Sequence, residues 1–175
     1  MTMEWEAERA LGIFFRQMRE EKSVDQMVEA ISVFARIYNC SSIAYGPQRS
    51  VQNMQSRCKI KLPTLPTLLT YPKEWQEHCL KNGYDRLAPS LRMGQSQLCP
   101  LLWDHAYKDP NTTDPERRIF DEAKEFGLET GVTIQLPGRL GNLPTMSFVQ
   151  SERSGLKQSR GVVSQVCRAR FSRKS

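Results

Sequence analysis

Two alternating segments near the C-terminal end of the chain constrain its fold most strongly. Val132 to Leu136 alternates apolar and polar side chains, and Met146 to Val149 does so again. Gly138 to Asn142 lies between them and supplies a turn, so the two segments predict an antiparallel hairpin. A hairpin is marginally stable by itself, and its apolar face needs further strands or helices packed against it.

Helical patterns and short strands elsewhere in the chain supply those layers. The predicted helices cover residues 4–20, a segment opened by Ser23 and Gln26 as a capping box, Lys73 to Asn82 with Gly83 as its stop, and a segment from the N-cap Asp114 to about Phe126. Short strands are expected at 43–45 and 68–70, on either side of a long irregular loop at 46–66. This order predicts an α+β fold, an α/β/α layered sandwich with a central antiparallel sheet flanked by helices.

The charge of the chain is concentrated at its end. Residues 151–175 hold seven of the 25 Lys and Arg residues and a single acid, Glu152, so residues 1–150 carry equal numbers of acids and bases. We therefore predict a domain at 1–150 and a basic tail at 151–175, either disordered or a partial dimerisation helix. Gly161 weakens the helical pattern of 156–171, which we expect to be ordered only against a partner.

Several function classes are disfavoured by what the sequence lacks. The five cysteines are far apart without C-x-x-C spacing, and neither His78 nor His105 belongs to a metal-ligand pattern, so we expect free buried thiols and no metal. No apolar run is long enough to cross a membrane, and the acidic start differs from a signal peptide, which predicts a cytoplasmic protein. No catalytic residue is identified, since there is no G-x-S-x-G motif.

The stretch from Tyr71 to Trp103 is rich in aromatic residues and proline. Such a mixture suits a closed apolar pocket with a few polar groups, because Trp and Tyr combine large apolar bodies with one hydrogen-bonding tip each. On a helix from Lys73, Trp75 and Cys79 share one face. From the pattern alone, a stripe of core aromatic residues is the more common explanation.

The same stretch resembles the signal-binding domain of LuxR-type quorum-sensing receptors, which bind acyl-homoserine lactones. The family's recurring set of Trp, Tyr, Asp, Pro, Trp and Gly falls at Trp75, Cys79, Ala88, Pro89, Trp103 and Gly131, so four of the six match. Tyr71, the Gly127-Leu128 corner, Thr133 and Ser147 add further matches. The resemblance covers residues 5–150 in element order and is strongest over 71–149.

The resemblance implies a role for each matching residue. Trp75 would donate its indole N–H to a lactone carbonyl, and Tyr71 and Ser147 would donate hydroxyls to the carbonyl of the acyl amide. Gly131 would be a position where a side chain would intrude. The implied ligand-binding set is Tyr71, Trp75, Cys79, Ala88, Trp103, Ile119, Ala123, Leu128, Thr133 and Ser147, in which Trp103 and Leu128 pack on the ligand and Ile119 and Ala123 line the acyl channel.

Two departures from the family pattern concern the ligand. Ala88 stands where the family's Asp accepts a hydrogen bond from the amide N–H, and a buried donor without its partner costs about 1–3 kcal/mol, or roughly ten- to a hundred-fold in affinity. Cys79 replaces a Tyr and opens space near the lactone end. Either the receptor is no longer under selection, or its pocket is retuned for a different small molecule.

We expect a non-catalytic signal-binding and dimerisation module with no cofactor beyond the signal itself. The family places a helix-turn-helix domain after this one, and residues 151–175 contain no such pattern, so the chain is an excised domain, a natural short form or a truncated frame. A short form would act as a homodimer, or as a heterodimer that inhibits a full-length LuxR-type receptor, without binding DNA sequence-specifically or a membrane. The alternatives are an enzyme that processes acyl lactones and a nucleic-acid binder acting through the basic tail.

Overall fold

The computed structural model describes residues 2–20, 24–46, 68–84, 89, 100–136, 145–152 and 156–171. These residues contain six helices, which are α1 (Thr2–Glu20), α2 (Val24–Ile37), α3 (Lys73–Asn82), α4 (Trp103–Lys108), α5 (Asp114–Glu125) and α6 (Leu156–Phe171). They also contain five strands, which are β1 (Ser42–Gly46), β2 (Leu68–Leu69), β3 (Leu101–Leu102), β4 (Thr130–Gln135) and β5 (Thr145–Gln150).

The five strands form one antiparallel sheet in the order β2-β1-β5-β4-β3. The predicted hairpin is its centre, where β4 pairs with β5 in a register that sets Thr133 opposite Ser147. Since successive side chains on a strand point to opposite faces, this register divides the central residues into two sets. Val132, Ile134, Met146 and Phe148 belong to the first face, and Gly131, Thr133, Ser147 and Val149 to the second.

Helices cover both faces of the sheet. On the first face, α1, α2 and α6 pack over the strands in a core that includes Leu11, Phe14, Phe34 and Phe148, all almost completely buried. On the second face, side chains of α3, α4 and α5 meet Val149 of β5 in a smaller core. The predicted α/β/α sandwich with a central antiparallel sheet is confirmed.

Helix α6, in the segment that we expected to be a tail, is part of the core on the first face of the sheet, which we call the first core. Val162 and Val166 of α6 are each 0% exposed and pack within that core. A Cβ on Gly161 would lie 2.7 Å from the Tyr38 ring, so glycine at this position allows α6 to approach α2 and the turn after it. The low helix propensity of Gly161 suggested a weak helix, whereas its small size is what allows the packing.

The element boundaries differ from the sequence prediction in a few places. The N-cap of α5 is Thr113 rather than Asp114, because the Glu116 carboxylate accepts hydrogen bonds from the Thr113 N–H at 2.8 Å and from its hydroxyl at 2.9 Å. Helix α3 ends as predicted, with Gly83 in the left-handed conformation at φ 68°. Strand β3 and helix α4 were not predicted, since both are short. The capping residue Ser23, the turn 138–142 and nearly all of the loop 46–66 lie outside the described residues.

Candidate functional site

Side chains from three helices and the second face of the sheet meet in one place, which we call the second-face cluster. Its buried members are Trp75, Tyr84, Ile119, Ala123, Leu128 and Val149, and the half-buried Tyr71, Cys79, Trp103 and Phe126 pack against them. Seven of the ten residues predicted to bind a ligand are in this cluster. Thr133 and Ser147 lie on the same face of the sheet and connect to it by hydrogen bonds. Ala88 lies outside the described residues, and its neighbour Pro89 is buried.

Four polar side chains of this cluster and the sheet beneath it form a continuous chain of hydrogen bonds. The Trp103 indole Nε1–H donates to the Thr133 Oγ1 at 3.0 Å, and this oxygen lies 2.8 Å from the Ser147 Oγ. The Ser147 hydroxyl is in turn hydrogen-bonded to the Tyr71 phenol. Thr133 and Ser147 meet because they are direct cross-strand partners. The fold therefore brings together, on the second face of the sheet, polar side chains that are up to 76 positions apart in the sequence.

The Tyr71 phenol stays protonated over the ordinary pH range. Desolvation by burial raises the pKa of Tyr71, the hydrogen bond with Ser147 lowers it, and the nearby Cys79 raises it. The net shift is upward, which keeps the O–H available as a hydrogen-bond donor. Tyr71 and Ser147 together offer hydroxyls that suit a carbonyl oxygen.

Trp75 lies in an aromatic enclosure. Its ring centroid is 5.3 Å from that of Phe126, 5.8 Å from that of His78 and 6.3 Å from that of Tyr84, and the residue is only 5% exposed. No described residue accepts a hydrogen bond from its indole N–H. An indole N–H can only donate, so a ligand group placed beside it would have to be an acceptor.

Gly131 gives Trp103 its place on the sheet. A Cβ at this position would lie 3.1 Å from two atoms of the Trp103 ring and 2.9 Å from the Phe148 carbonyl oxygen. The indole therefore lies directly against the backbone of β4, where its N–H reaches Thr133. The sequence prediction that a side chain would intrude at Gly131 agrees with this packing.

A charged group beside the cluster was not anticipated from the sequence. The Glu122 Oε2 lies 2.6 Å from the His78 Nε2 and 2.6 Å from the Tyr84 hydroxyl, and its Oε1 accepts a hydrogen bond from the Arg118 Nε. The hydrogen bond from Tyr84, followed by those from His78 and Arg118, lowers the pKa of Glu122 to about 2. The only signal in the sequence is spacing, since His78 follows Trp75 and Glu122 follows Ile119 by three residues on their helices.

The polar groups of the cluster are mainly neutral hydrogen-bond donors. Trp75, Tyr71 and Ser147 supply these donors in apolar surroundings, and the His78 ring is hydrogen-bonded to Glu122 and stacked on Trp75. Within the described ranges no group of three or more His, Cys, Asp or Glu residues could hold a metal ion. Among the helices that the structure describes, none is long and apolar enough to cross a membrane.

Comparison with known proteins places this chain in a family. The family described as "Autoinducer binding domain" matches residues 23–166. An HTH-type transcriptional regulator of Sinorhizobium fredii, y4qH, is 37% identical over 125 residues, which is 71% of this chain and 37% of that protein. The transcriptional activator protein VanR of Vibrio anguillarum is 31% identical over 93 residues, or 52% of this chain and 38% of that protein. The matched part of the chain thus spans little more than a third of the length of these relatives.

Solved structures share the architecture. The N-acylhomoserine lactone-dependent LuxR family transcription factor CepR2 from Burkholderia cenocepacia matches with a TM-score of 0.65 at 19% identity, covering 97% of this chain and 93% of that chain. Escherichia coli SdiA matches with a TM-score of 0.61 at 16% identity, covering 95% of this chain and 68% of that chain. SdiA in complex with octanoyl-rac-glycerol matches with a TM-score of 0.60 at 16% identity, covering 94% and 65%. At these identities the likeness shows the fold.

Proposed function

Because the chain belongs to the autoinducer-binding domain family of LuxR-type regulators, we propose that its second-face cluster binds a small acyl signal molecule by the carbonyl groups of that molecule. The chain is a regulatory module of quorum sensing and not an enzyme, as its relatives are transcriptional regulators. The cluster is the site we propose for the signal, with its acyl chain against Ile119 and Ala123.

One observation carries this proposal, which is the arrangement of donors in an apolar enclosure. The Tyr71 and Ser147 hydroxyls are hydrogen-bonded to each other, and the Trp75 indole N–H has no acceptor among the described residues. A ligand with two carbonyl oxygens would accept from Trp75 at one end and from the hydroxyl pair at the other. Buried donors that gain acceptors contribute about 1 kcal/mol each, and the apolar surface of an acyl chain adds about 0.8 kcal/mol for every buried CH₂.

The class of acyl signal depends on position 88. The methyl side chain of alanine cannot accept a hydrogen bond from an amide N–H, so an acyl amide would lose one side-chain partner that an acyl ester does not need. SdiA, which shares the fold, has been solved with octanoyl-rac-glycerol bound. We therefore include acyl esters of glycerol beside acyl-homoserine lactones as candidate signals for this chain.

A binding titration followed by intrinsic tryptophan fluorescence tests the proposal. We expect saturable binding of at least one acyl ligand, weakened about ten-fold by Trp75→Phe and by Ser147→Ala, because each removes one hydrogen bond to the ligand. Tyr107→Phe is the matched control, since Tyr107 lies on α4 and its hydroxyl bonds to the exposed Asp121 outside the cluster. Equal affinities in the wild-type chain, Trp75→Phe and Ser147→Ala would place the ligand elsewhere.

Pairing with another protein is the second part of the proposed function. We propose that the module pairs with a second copy or with a full-length LuxR-type receptor, which it would then inhibit by leaving only one DNA-reading arm on a two-site operator. Its relatives are longer transcriptional regulators, which supports such a partner. Co-purification with a full-length relative at micromolar concentration, and weaker operator binding by the mixture, are the expected results. Two proteins that elute separately and leave operator binding unchanged would contradict this part.

A further inference from the structure

The Glu122 carboxylate connects two helices that carry the proposed binding residues. It lies on α5 between Ile119 and Ala123, and it accepts hydrogen bonds from His78 on α3 and from Tyr84 just beyond the end of α3. Because the carboxylate is ionised and can only accept, the proton in the contact with His78 is on Nε2. The side chain of Glu122 is 16% exposed, so these bonds are largely shielded from water.

Both groups held by Glu122 pack on the indole of Trp75. The His78 ring stacks on it with an interplanar angle of 21°, and the Tyr84 ring lies on it at 48°. His78 and Tyr84 also contact each other edge to face, with their centroids 5.7 Å apart. Of the three rings that pack on the indole, two thus have polar atoms that share one oxygen, Glu122 Oε2, and the third is that of Phe126.

We propose that Glu122 is a positioning residue for signal binding, which fixes the direction of the Trp75 N–H by holding His78 and Tyr84 in place. This inference rests on the proposed function, because the indole N–H is taken to be the donor to the ligand. A donor that is already oriented saves the entropy cost of ordering it on binding. Glu122 itself would not touch the ligand, and its effect would pass through Trp75.

Fluorine NMR of the full chain labelled with 5-fluorotryptophan separates this role from a general effect on folding. The three resonances of Trp5, Trp75 and Trp103 can be assigned by single Trp→Phe changes. In Glu122→Gln we expect the Trp75 resonance to shift or broaden while that of Trp103 stays in place, since Trp103 is held by Thr133. Glu125→Gln, which removes an exposed carboxylate from the same helix, is the control and should change neither resonance.

Ligand affinity and a double-mutant cycle complete the test. Glu122→Gln should weaken binding of the best acyl ligand about ten-fold. His78→Phe keeps a ring over Trp75 but loses the bond to Glu122, and its effect should be smaller in the Glu122→Gln background than alone, because both act through one carboxylate. If Glu122→Gln does not fold, Tyr84→Phe takes its place, since it removes only one donor from the group.

The outcomes distinguish this inference from the proposed function. An unchanged Trp75 resonance in Glu122→Gln, or a changed resonance with unchanged affinity, would overturn the positioning role while leaving signal binding intact. If no acyl ligand binds the wild-type chain, the proposed function fails, and positioning for the signal fails with it even where the Trp75 resonance responds. A changed resonance together with the ten-fold loss would support both.

Discussion

At the scale of single residues, the second-face cluster depends on small side chains as much as on large ones. Trp103 can reach Thr133 only because Gly131 leaves the backbone of β4 bare beneath the indole. The Thr133 hydroxyl is hydrogen-bonded to Ser147, and Ser147 is hydrogen-bonded to Tyr71. One extra methyl group at position 131 would therefore disturb both the packing and the polar chain.

We predict that Gly131→Ala lowers the free energy of unfolding by about 1–3 kcal/mol, because the new Cβ meets a backbone oxygen and an indole that is itself hydrogen-bonded. Gly12→Ala is the control. Apart from the local backbone of α1, no atom of the described residues lies within 4 Å of a Cβ at Gly12, so this change should raise the same quantity by up to about 1 kcal/mol. Urea denaturation of both variants measures the difference, and a Gly131→Ala variant as stable as the wild type would contradict the packing described.

The residues of the site were accessible from the sequence to different degrees. Tyr71, Trp75 and Ser147 were predicted through a resemblance, since periodicity alone cannot distinguish a core tryptophan from a pocket tryptophan. Glu122 and His78 were missed because their contact joins two helices 44 positions apart, and an isolated acid on a helix usually faces water. Whether the ten predicted residues bind a ligand remains a prediction.

At the scale of elements, local patterns predicted those helices and strands whose ends carry clear signals. The α3 boundaries and the central hairpin follow from Gly83 and from alternation, whereas two-residue strands such as β3 depend on their neighbours in the sheet. Helix α6 shows the limit of such reasoning. The low helix propensity of Gly161 disfavours this helix locally, whereas the close packing on Tyr38 that glycine allows favours it.

Burial of α6 predicts a stability effect that a loose tail would not show. Val166→Ala should destabilise the chain by about 1.5–3 kcal/mol, because Val166 is 0% exposed in the first core. Ser164→Ala, at an exposed position of the same helix, should stay within about 0.5 kcal/mol of the wild type. Equal thermal unfolding of the two variants would show that α6 is not part of the core.

The connection between α3 and α5 predicts a dependence of stability on pH. The folded-state pKa of Glu122 is about 2, below its ordinary value of 4.5, mainly because of the Tyr84 hydrogen bond and then those of His78 and Arg118. Its contribution to stability is therefore complete above about pH 4.5 and is lost progressively as the pH falls toward 2.

Glu122→Gln should accordingly be less stable than the wild type at pH 7, and the difference should shrink between pH 4.5 and 2. Chemical denaturation at a series of pH values measures it, with Glu125→Gln as the comparison, because that variant removes an exposed carboxylate of the same helix. A difference that is constant from pH 7 to pH 3 would mean that the Glu122 charge does not contribute in this way.

At the scale of the whole molecule, the two faces of the sheet carry clusters of different size and composition. The first face carries the large apolar core with α1, α2 and α6, and the second carries the cluster of aromatic rings and neutral donors. A signal bound on the second face would add contacts among α3, α4 and α5, so ligand binding and stability should be linked by mass action. The free energy of unfolding of this chain should therefore rise as the ligand concentration increases.

If the second-face cluster binds an acyl signal, that signal should raise the melting temperature of the purified chain, which can be measured against a panel of ligands. The panel should hold acyl-homoserine lactones of several chain lengths and monooctanoyl glycerol, with Ala88→Asp beside the wild type. We predict that at least one ligand raises the melting temperature of the wild type. Ala88→Asp should then bind the lactones more tightly than the wild type does, by roughly ten- to a hundred-fold in affinity. Its affinity for the ester should not increase, because the ester has no amide N–H. If no member of the panel raises the melting temperature of either protein, the account of this site is contradicted.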